Sequence, residues 1–357
     1  MMRSTARAVA CPLAVFLLYI IGAILPSCRP RPAGVPGAGN YPVHAAWFDA
    51  GKAGDVPFVV SVSPFDGRRD TLWVERPLQR LVCMSSSHAG MLEAIGVPEA
   101  VVGISGLGYL SGPGVRMHAC EVGYDAALDY ETVVSLRPDV VLTYLVSSVE
   151  PPYISKLKSL GIRVFTLYEH LEDHPLARSE YMRLLGVLTG REAVADSLFA
   201  AVCSAYGEIA GRHASDPSRP GVLLNVPYAD QWFIPGAENY FSRLIADAGG
   251  QVVGAREGER TSRVVSLEEA YMLSREADFW LNTGWCRTRE QLTALNPLFA
   301  RFTIPHIYNN IKRVTPAGGN DFWESGAVRP DWILRDLEAI LSGKAEADSL
   351  RYYLEVQ

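Results

Sequence analysis

The chain has few of the motifs that announce chemistry. Its 357 residues include six cysteines, none in a CxxC pair, so neither a zinc ribbon nor a haem-attachment site is supported. GxSxG and HExxH are missing, as is any nucleophile–base spacing, which leaves an exported hydrolase as a remote alternative. There is no basic stripe: 33 Lys and Arg stand against 39 Asp and Glu, a net charge of -6. Nucleic acid is therefore not an expected partner. The 31 glycines and 23 prolines follow no period, which excludes a collagen-like repeat. With 48% hydrophobic and 20% charged residues, the composition also excludes a disordered chain. The length suits two domains of roughly 100–200 residues each.

The one apolar run able to meet a membrane is N-terminal. Arg3 and Arg7 precede the stretch Ala8 to Leu25, and Pro26-Ser27-Cys28 ends it. A charged start, an apolar core and small residues make a secretory signal over 1–27. The run also approaches the lower limit for a spanning helix, roughly 17–25 residues, so a single anchoring helix is the plainer alternative. Leu25-Pro26-Ser27-Cys28 resembles a lipobox, with Pro26 an unusual occupant, and implies lipid on Cys28. Residues 28–55 are rich in Pro, Gly and Ala and read as a flexible tether. Cys83, Cys120, Cys203 and Cys286 read as buried free thiols, although an exported location permits disulfides.

From residue 56 the pattern is globular. Residues 56–74 read as a hairpin around Asp66-Gly67. Short apolar strands then alternate with helical spacings up to 190, the expected first α/β lobe. Within the linking segment 191–214, Glu192 to His213 reads as one long helical run, about 33 Å at 1.5 Å per residue, ended by Pro217 and Pro220. The alternation restarts over 215–357, giving a second α/β lobe. Ligands of such sheets sit beyond the carboxyl ends of the strands, which for two facing lobes means an interlobe cleft.

Four segments carry a family resemblance: RLVCMSSSHAGMLEAIG (80–96), ALDYETVVSLRPDVVL (127–142), HPLARSEYMRLLGVLTGREAVADSLF (174–199) and GGNDFWESGAVRPDWILRDL (318–337). The strongest piece is the Glu131 to Val141 pattern, E-x-[IV]-x-x-L-x-PD-[VL]-[VI]. From about Val56 onward the chain resembles the helical-backbone class of ABC-transporter substrate-binding lipoproteins, in particular a branch common in Bacteroidetes. The resemblance implies an α/β fold of two Rossmann-like lobes joined by a backbone helix. It further implies a periplasmic, lipid-anchored monomer, an iron–siderophore, haem or cobalamin ligand, and an inner-membrane ABC permease as partner. No cofactor, no resident metal and no catalytic residue go with it. Relatives often carry a permease-docking Glu on the first helix of each lobe. Here those positions fall near Gly90 and Ala246, which leaves the neighbouring Glu93 and Asp247 as stand-in docking acids.

Candidate ligand-binding residues cluster after strands. Ser86, Ser87 and His88 open the first helix, where free N–H groups and hydroxyls can hold a polar ligand group. One of these serines is equally suited to cap that helix, and His88 to a plain hydrogen bond. Tyr109 lies in a glycine-rich loop whose spacing is wrong for a dinucleotide fingerprint; it is either a cleft loop or plain surface. Tyr144 follows PDVVL, and Glu169 and His170 follow IRVFTL, with Arg178 placed to pair with Glu169 or a neighbour. In the second lobe Tyr228, Trp232, Trp285, Arg287, Asn309 and Trp323 recur at strand ends. Aromatic rings there suit a large flat ligand, and Arg287 suits a carboxylate. His88 with Glu169 and His170 is a thin set for zinc or manganese, a further alternative.

Overall fold

The computed structural model describes residues 42–229 and 231–357. The expected signal over 1–27, the expected lipidation site Cys28 and the first half of the expected tether lie outside the described residues.

The body begins earlier than the composition suggests. Phe48–Ala53 (β1), Val56–Val62 (β2) and Arg69–Trp73 (β3) form an antiparallel sheet in that order. The hairpin between β2 and β3 turns through Asp66 and Gly67, with Gly67 at φ 72°. Strand β1 corrects the tether drawn to residue 55. Its alternation places Phe48 and Ala50 inward, and the Phe48 ring meets Tyr181 edge-on at 4.7 Å.

The first lobe follows as Leu81–Cys83 (β4), Ser86–Ala94 (α1), Val101–Ile104 (β5), Pro113–Arg116 (α2), Cys120–Glu121 (β6), Tyr130–Ser135 (α3), Val140–Tyr144 (β7), Pro152–Ser159 (α4) and Val164–Leu167 (β8). Its strands make one parallel sheet ordered β6-β5-β4-β7-β8. Apolar residues fill both faces, as a sheet covered on two sides requires. Leu81, Cys83, Val140 and Leu142 join one core, while Val82, Val141 and Val164 join the other.

Pro175–Thr189 (α5) opens with Pro at its first position and closes on Gly190 at φ 69°, a left-handed cap. Glu192–His213 (α6) follows with the expected bounds. Its inward residues divide between the bodies: Ala195 and Phe199 join the first-lobe core, and Val202, Tyr206 and Ile209 the second. That division is what a joining strut requires.

The second lobe comprises Gly221–Leu224 (β9), Trp232–Ile234 (β10), Tyr240–Asp247 (α7), Gln251–Val252 (β11), Arg263–Val265 (β12), Leu267–Ser274 (α8), Phe279–Leu281 (β13), Arg289–Leu295 (α9), His306–Asn309 (β14), Asp321–Val328 (α10), Pro330–Leu341 (α11) and Leu354–Glu355 (β15). Strands β11-β9-β13-β14 are parallel, with β15 antiparallel at the edge, and β10 pairs with β12 as a separate ribbon. Helices α7, α8, α9 and α10 are capped by side chains of Asn239, Ser266, Thr288 and Asn320. The second lobe does not keep to itself. Helix α10 places Phe322 in the second core and Val328 in the first.

Candidate functional site

In the first sheet the strand order reverses between β4 and β7; in the second it reverses between β9 and β13. A crevice opens outside the carboxyl ends at such a switch. Ser85–Ser87, Asn225–Tyr228 and Asn282–Trp285 follow β4, β9 and β13, and Tyr144 is the last residue of β7. The expected aromatic and hydroxyl positions therefore fall at both switch points.

On the first lobe a polar cluster forms. Ser85, rather than Ser86 or Ser87, is the cap of α1; its Oγ accepts from the Ser87 N–H at 3.3 Å. The Ser85 and Ser87 hydroxyls lie 2.7 Å apart, and Ser87 Oγ donates to Glu169 Oε1 at 2.8 Å. His88 Nε2 lies 3.1 Å from the same carboxylate oxygen. Ser87, His88 and Glu169 are buried, whereas Ser85 and Ser86 are half-buried. Burial opposes ionisation of Glu169, but His88 beside it overrides that cost and holds the carboxyl well below its usual range. His170 is pushed down to about 4 by burial, and its Nε2 approaches the Leu145 carbonyl at 3.1 Å. The Tyr144 ring meets His170 edge-on at 5.5 Å. Burial, reinforced by Asp125, raises the Tyr144 phenol above its ordinary value, so it is a neutral hydroxyl. The buried His88 Nδ1, His170 Nδ1 and Glu169 Oε2 have no protein partner, which keeps the floor of this wall polar. Among the described residues no three His, Cys, Asp or Glu are grouped to hold a metal ion.

Arg178 sits behind the wall. It donates to the carbonyls of His170 and Glu172, and its guanidinium lies 3.7 Å over the Tyr240 ring of the second lobe. These contacts, to the neighbours of Glu169, fix the turn that carries it.

The second lobe sorts its candidates. Tyr228 and Trp285 are each 45% exposed. Both follow the same short pattern: Leu224-Asn225-x-x-Tyr228 and Leu281-Asn282-x-x-Trp285. Asn225 and Asn282 take left-handed backbone, φ 68° and 61°, a conformation Asn tolerates. That turn aims the aromatic outward, and the repeat is a signal in the sequence that strand-end position alone does not use. Trp232 corrects an expectation. It is fully buried, donates to the Leu224 carbonyl at 2.8 Å and packs on Trp280, Phe299 and Phe302; it is core, with no face left for a ligand. Asn309 is buried too, and its amide donates to the Gly284 and Cys286 carbonyls. It shapes the loop carrying Trp285 instead of meeting ligand. Arg287 is exposed, with one guanidinium nitrogen on the Ile311 carbonyl at 3.0 Å. Trp323 is half-buried against Phe241 and Phe322.

Residues 81–303, more than half of the chain, match the sequence profile of the family described as periplasmic binding protein. The chain belongs to that family. An uncharacterised lipoprotein of Methanocaldococcus jannaschii is 24% identical to this binding protein over 292 residues, 75% of this chain and 66% of that one. A cobalamin-binding protein of Halobacterium salinarum is 26% identical over 247 residues, 69% of this chain and 63% of that one. The binding protein thus spans just under two thirds of the length of these relatives. Among solved structures, a periplasmic heme-binding protein from Pseudomonas aeruginosa superposes with a TM-score of 0.58 at 20% identity, covering 78% of this chain and 98% of that one. The periplasmic vitamin B12 binding protein of Vibrio cholerae gives 0.51 at 14% identity, over 75% and 98%. At such identities the structural likeness establishes the fold, two lobes of mixed α/β.

Glu93 and Asp247, the expected docking acids, have internal partners. Glu93 accepts the Gly114 and Val115 N–H groups at 3.1 Å each. Asp247 accepts the Tyr206 hydroxyl at 2.6 Å. Gly90 faces Glu324 of α10, where a Cβ would stand 3.1 Å from the Glu324 Cγ. These are structural roles, and they argue against Glu93 and Asp247 as permease contacts. The four expected buried thiols also divide: Cys83 and Cys286 are buried, Cys203 is half-buried and Cys120 is exposed, all of them free. Two carboxylates that the sequence reading passed over hold the N-terminal strap. Glu180 accepts N–H groups of Val43, His44 and Ala45, and Glu172 those of Ala46 and Trp47.

Proposed function

We propose that this chain is the substrate-binding component of an ABC importer. It holds an iron complex, a siderophore chelate or haem, between its lobes and delivers it to a membrane permease. The observation that carries the reading is the pairing of switch points. Ser86 and Tyr144 border one, Tyr228 and Trp285 border the other, and the exposed rings offer large contact area at low entropic cost. Tyr109 and His170 extend the first wall; Arg287 stands by Trp285 for a carboxylate. Lipid on Cys28 holds the protein at the periplasmic side of a membrane, with the following residues as its tether. No catalytic step is assigned to any of these groups.

A corrinoid ligand is the second reading, favoured by the cobalamin-binding relative from Halobacterium salinarum. The test is titration of the purified protein with haemin, a ferric siderophore and cyanocobalamin, read by tryptophan fluorescence. Saturation at one ligand per chain is expected for one of the three. No response to any of them, with tight zinc binding instead, would replace this reading with the metal-binding alternative.

A further inference from the structure

Six backbone N–H groups of the loop from Gly106 to Val115 are held by carboxylates. Glu121 accepts the Gly106 and Leu107 N–H groups at 3.0 and 2.6 Å. Glu93 accepts those of Gly114 and Val115. Between them Glu324, from the second lobe, accepts Ser111 N–H at 2.6 Å and Gly112 N–H at 2.9 Å, one on each oxygen. Pro113 has no N–H to offer, so the chain passes there from one lobe's carboxylate to the other's. The fit is close. A Cβ on Gly112 would fall 2.6 Å from Glu93 Oε2, and one on Gly319 would fall 1.9 Å from the Tyr109 carbonyl oxygen. Thr315 Oγ1 adds a bond to the Gly108 carbonyl at 2.8 Å. Tyr109 sits inside this bracketed stretch, its ring 5.8 Å from that of Tyr124.

We propose that Glu324 is a positioning residue for ligand capture: from the second lobe it sets the loop that presents Tyr109 on the first. The proposal rests on the reading that Tyr109 borders the ligand cleft. Its physical content is that one carboxyl group accepting two successive N–H groups, one on each oxygen, fixes the backbone at both points. The Tyr109 loop is thereby tied to α10, which the second half of the chain supplies and which packs on α1 of the first lobe.

Two arms test this on the full chain. Without ligand, hydrogen–deuterium exchange of peptides covering residues 107–115 is expected to rise roughly tenfold or more in Glu324→Ala, with peptides of β4, β7 and β8 unchanged. Glu324→Gln keeps the volume and one acceptor, folds if the alanine variant does not, and is expected to fall between. Unchanged exchange in that loop, or an equal rise across the whole lobe, overturns the proposal. With haemin and cyanocobalamin as probes, Glu324→Ala is expected to weaken binding of whichever binds by about tenfold. It should weaken it no further once Tyr109→Ala is present; independent, additive losses overturn the positioning role. Failure of wild type to bind either probe counts against the ligand reading, and the exchange arm then decides the loop claim by itself.

Discussion

Glu172 gives a sharp prediction because its charge state runs against habit. Burial pushes its carboxyl up to about 8, although Ala46 and Trp47 N–H groups and the Tyr181 hydroxyl donate to it. The folded form therefore binds a proton that the unfolded chain, near an ordinary ~4.3, releases. A raised carboxyl contributes stability that is fully present below the unfolded value and is lost as pH rises through about 8. Across that window the loss is on the order of 4–5 kcal/mol, about half of it between pH 5 and 7. Glu172→Gln removes the dependence. All three donors reach Oε1, at 2.9, 3.0 and 3.2 Å, so the amide oxygen can take their place. The amide nitrogen then stands where Oε2 meets only the Ala46 N–H at 3.1 Å. Thermal unfolding followed by circular dichroism from pH 5 to 8.5 should show the variant gaining on wild type by several degrees as pH rises. Other titrating groups are common to both proteins and cancel in the difference. Parallel curves, with a constant gap in Tm at every pH, would refute a protonated Glu172.

Trp232→Ala is expected to cost roughly 3–5 kcal/mol of stability, as removal of a buried indole does, while calorimetric affinity per folded molecule stays unchanged. Tyr144→Ala and Trp285→Ala should do the reverse, weakening ligand binding about tenfold or more with little change in chemical denaturation. Gly319→Ala places a methyl on the Tyr109 carbonyl; a loss of roughly 2 kcal/mol or more is expected in urea unfolding, and a wild-type midpoint would contradict the tight seam between the lobes.

Much of the scaffold was legible because apolar runs and caps act locally. The helix expected from Glu192 to His213 is found with those bounds, since its core-facing residues, Ala195 to Ile209, repeat at helical spacing over about four turns. Strands β4, β7, β9 and β13 are short apolar runs between turn residues, and they too lie where the pattern puts them. What escaped were elements whose reason is elsewhere in the chain. Strand β1 reads as a Gly- and Ala-rich tether because only pairing with β2, together with strap bonds to Glu172 and Glu180, orders it. Strands β6, β11 and β15 span two residues each, too few to show a period.

The site divides on the same principle. Strand-end position selects Tyr144, Tyr228 and Trp285 correctly as rings at the switch points, but it selects Trp232 with equal force. An aromatic after a strand may either end a turn in solvent or begin a new strand folded back on the core, and the sequence offers both options with the same residue type. The discriminator is the Asn at the strand end. Asn225 and Asn282 adopt left-handed backbone and reverse the chain within three residues, which exposes the ring that follows. Trp232 comes after that reversal has finished and enters β10, where pairing with Val265 on β12 carries its side chain inward. Glu324 illustrates the complementary failure. Nothing within ten residues of it hints at Ser111 or Gly112, because an acceptor this far off in the chain leaves its mark only in the small residue it packs against, Gly90.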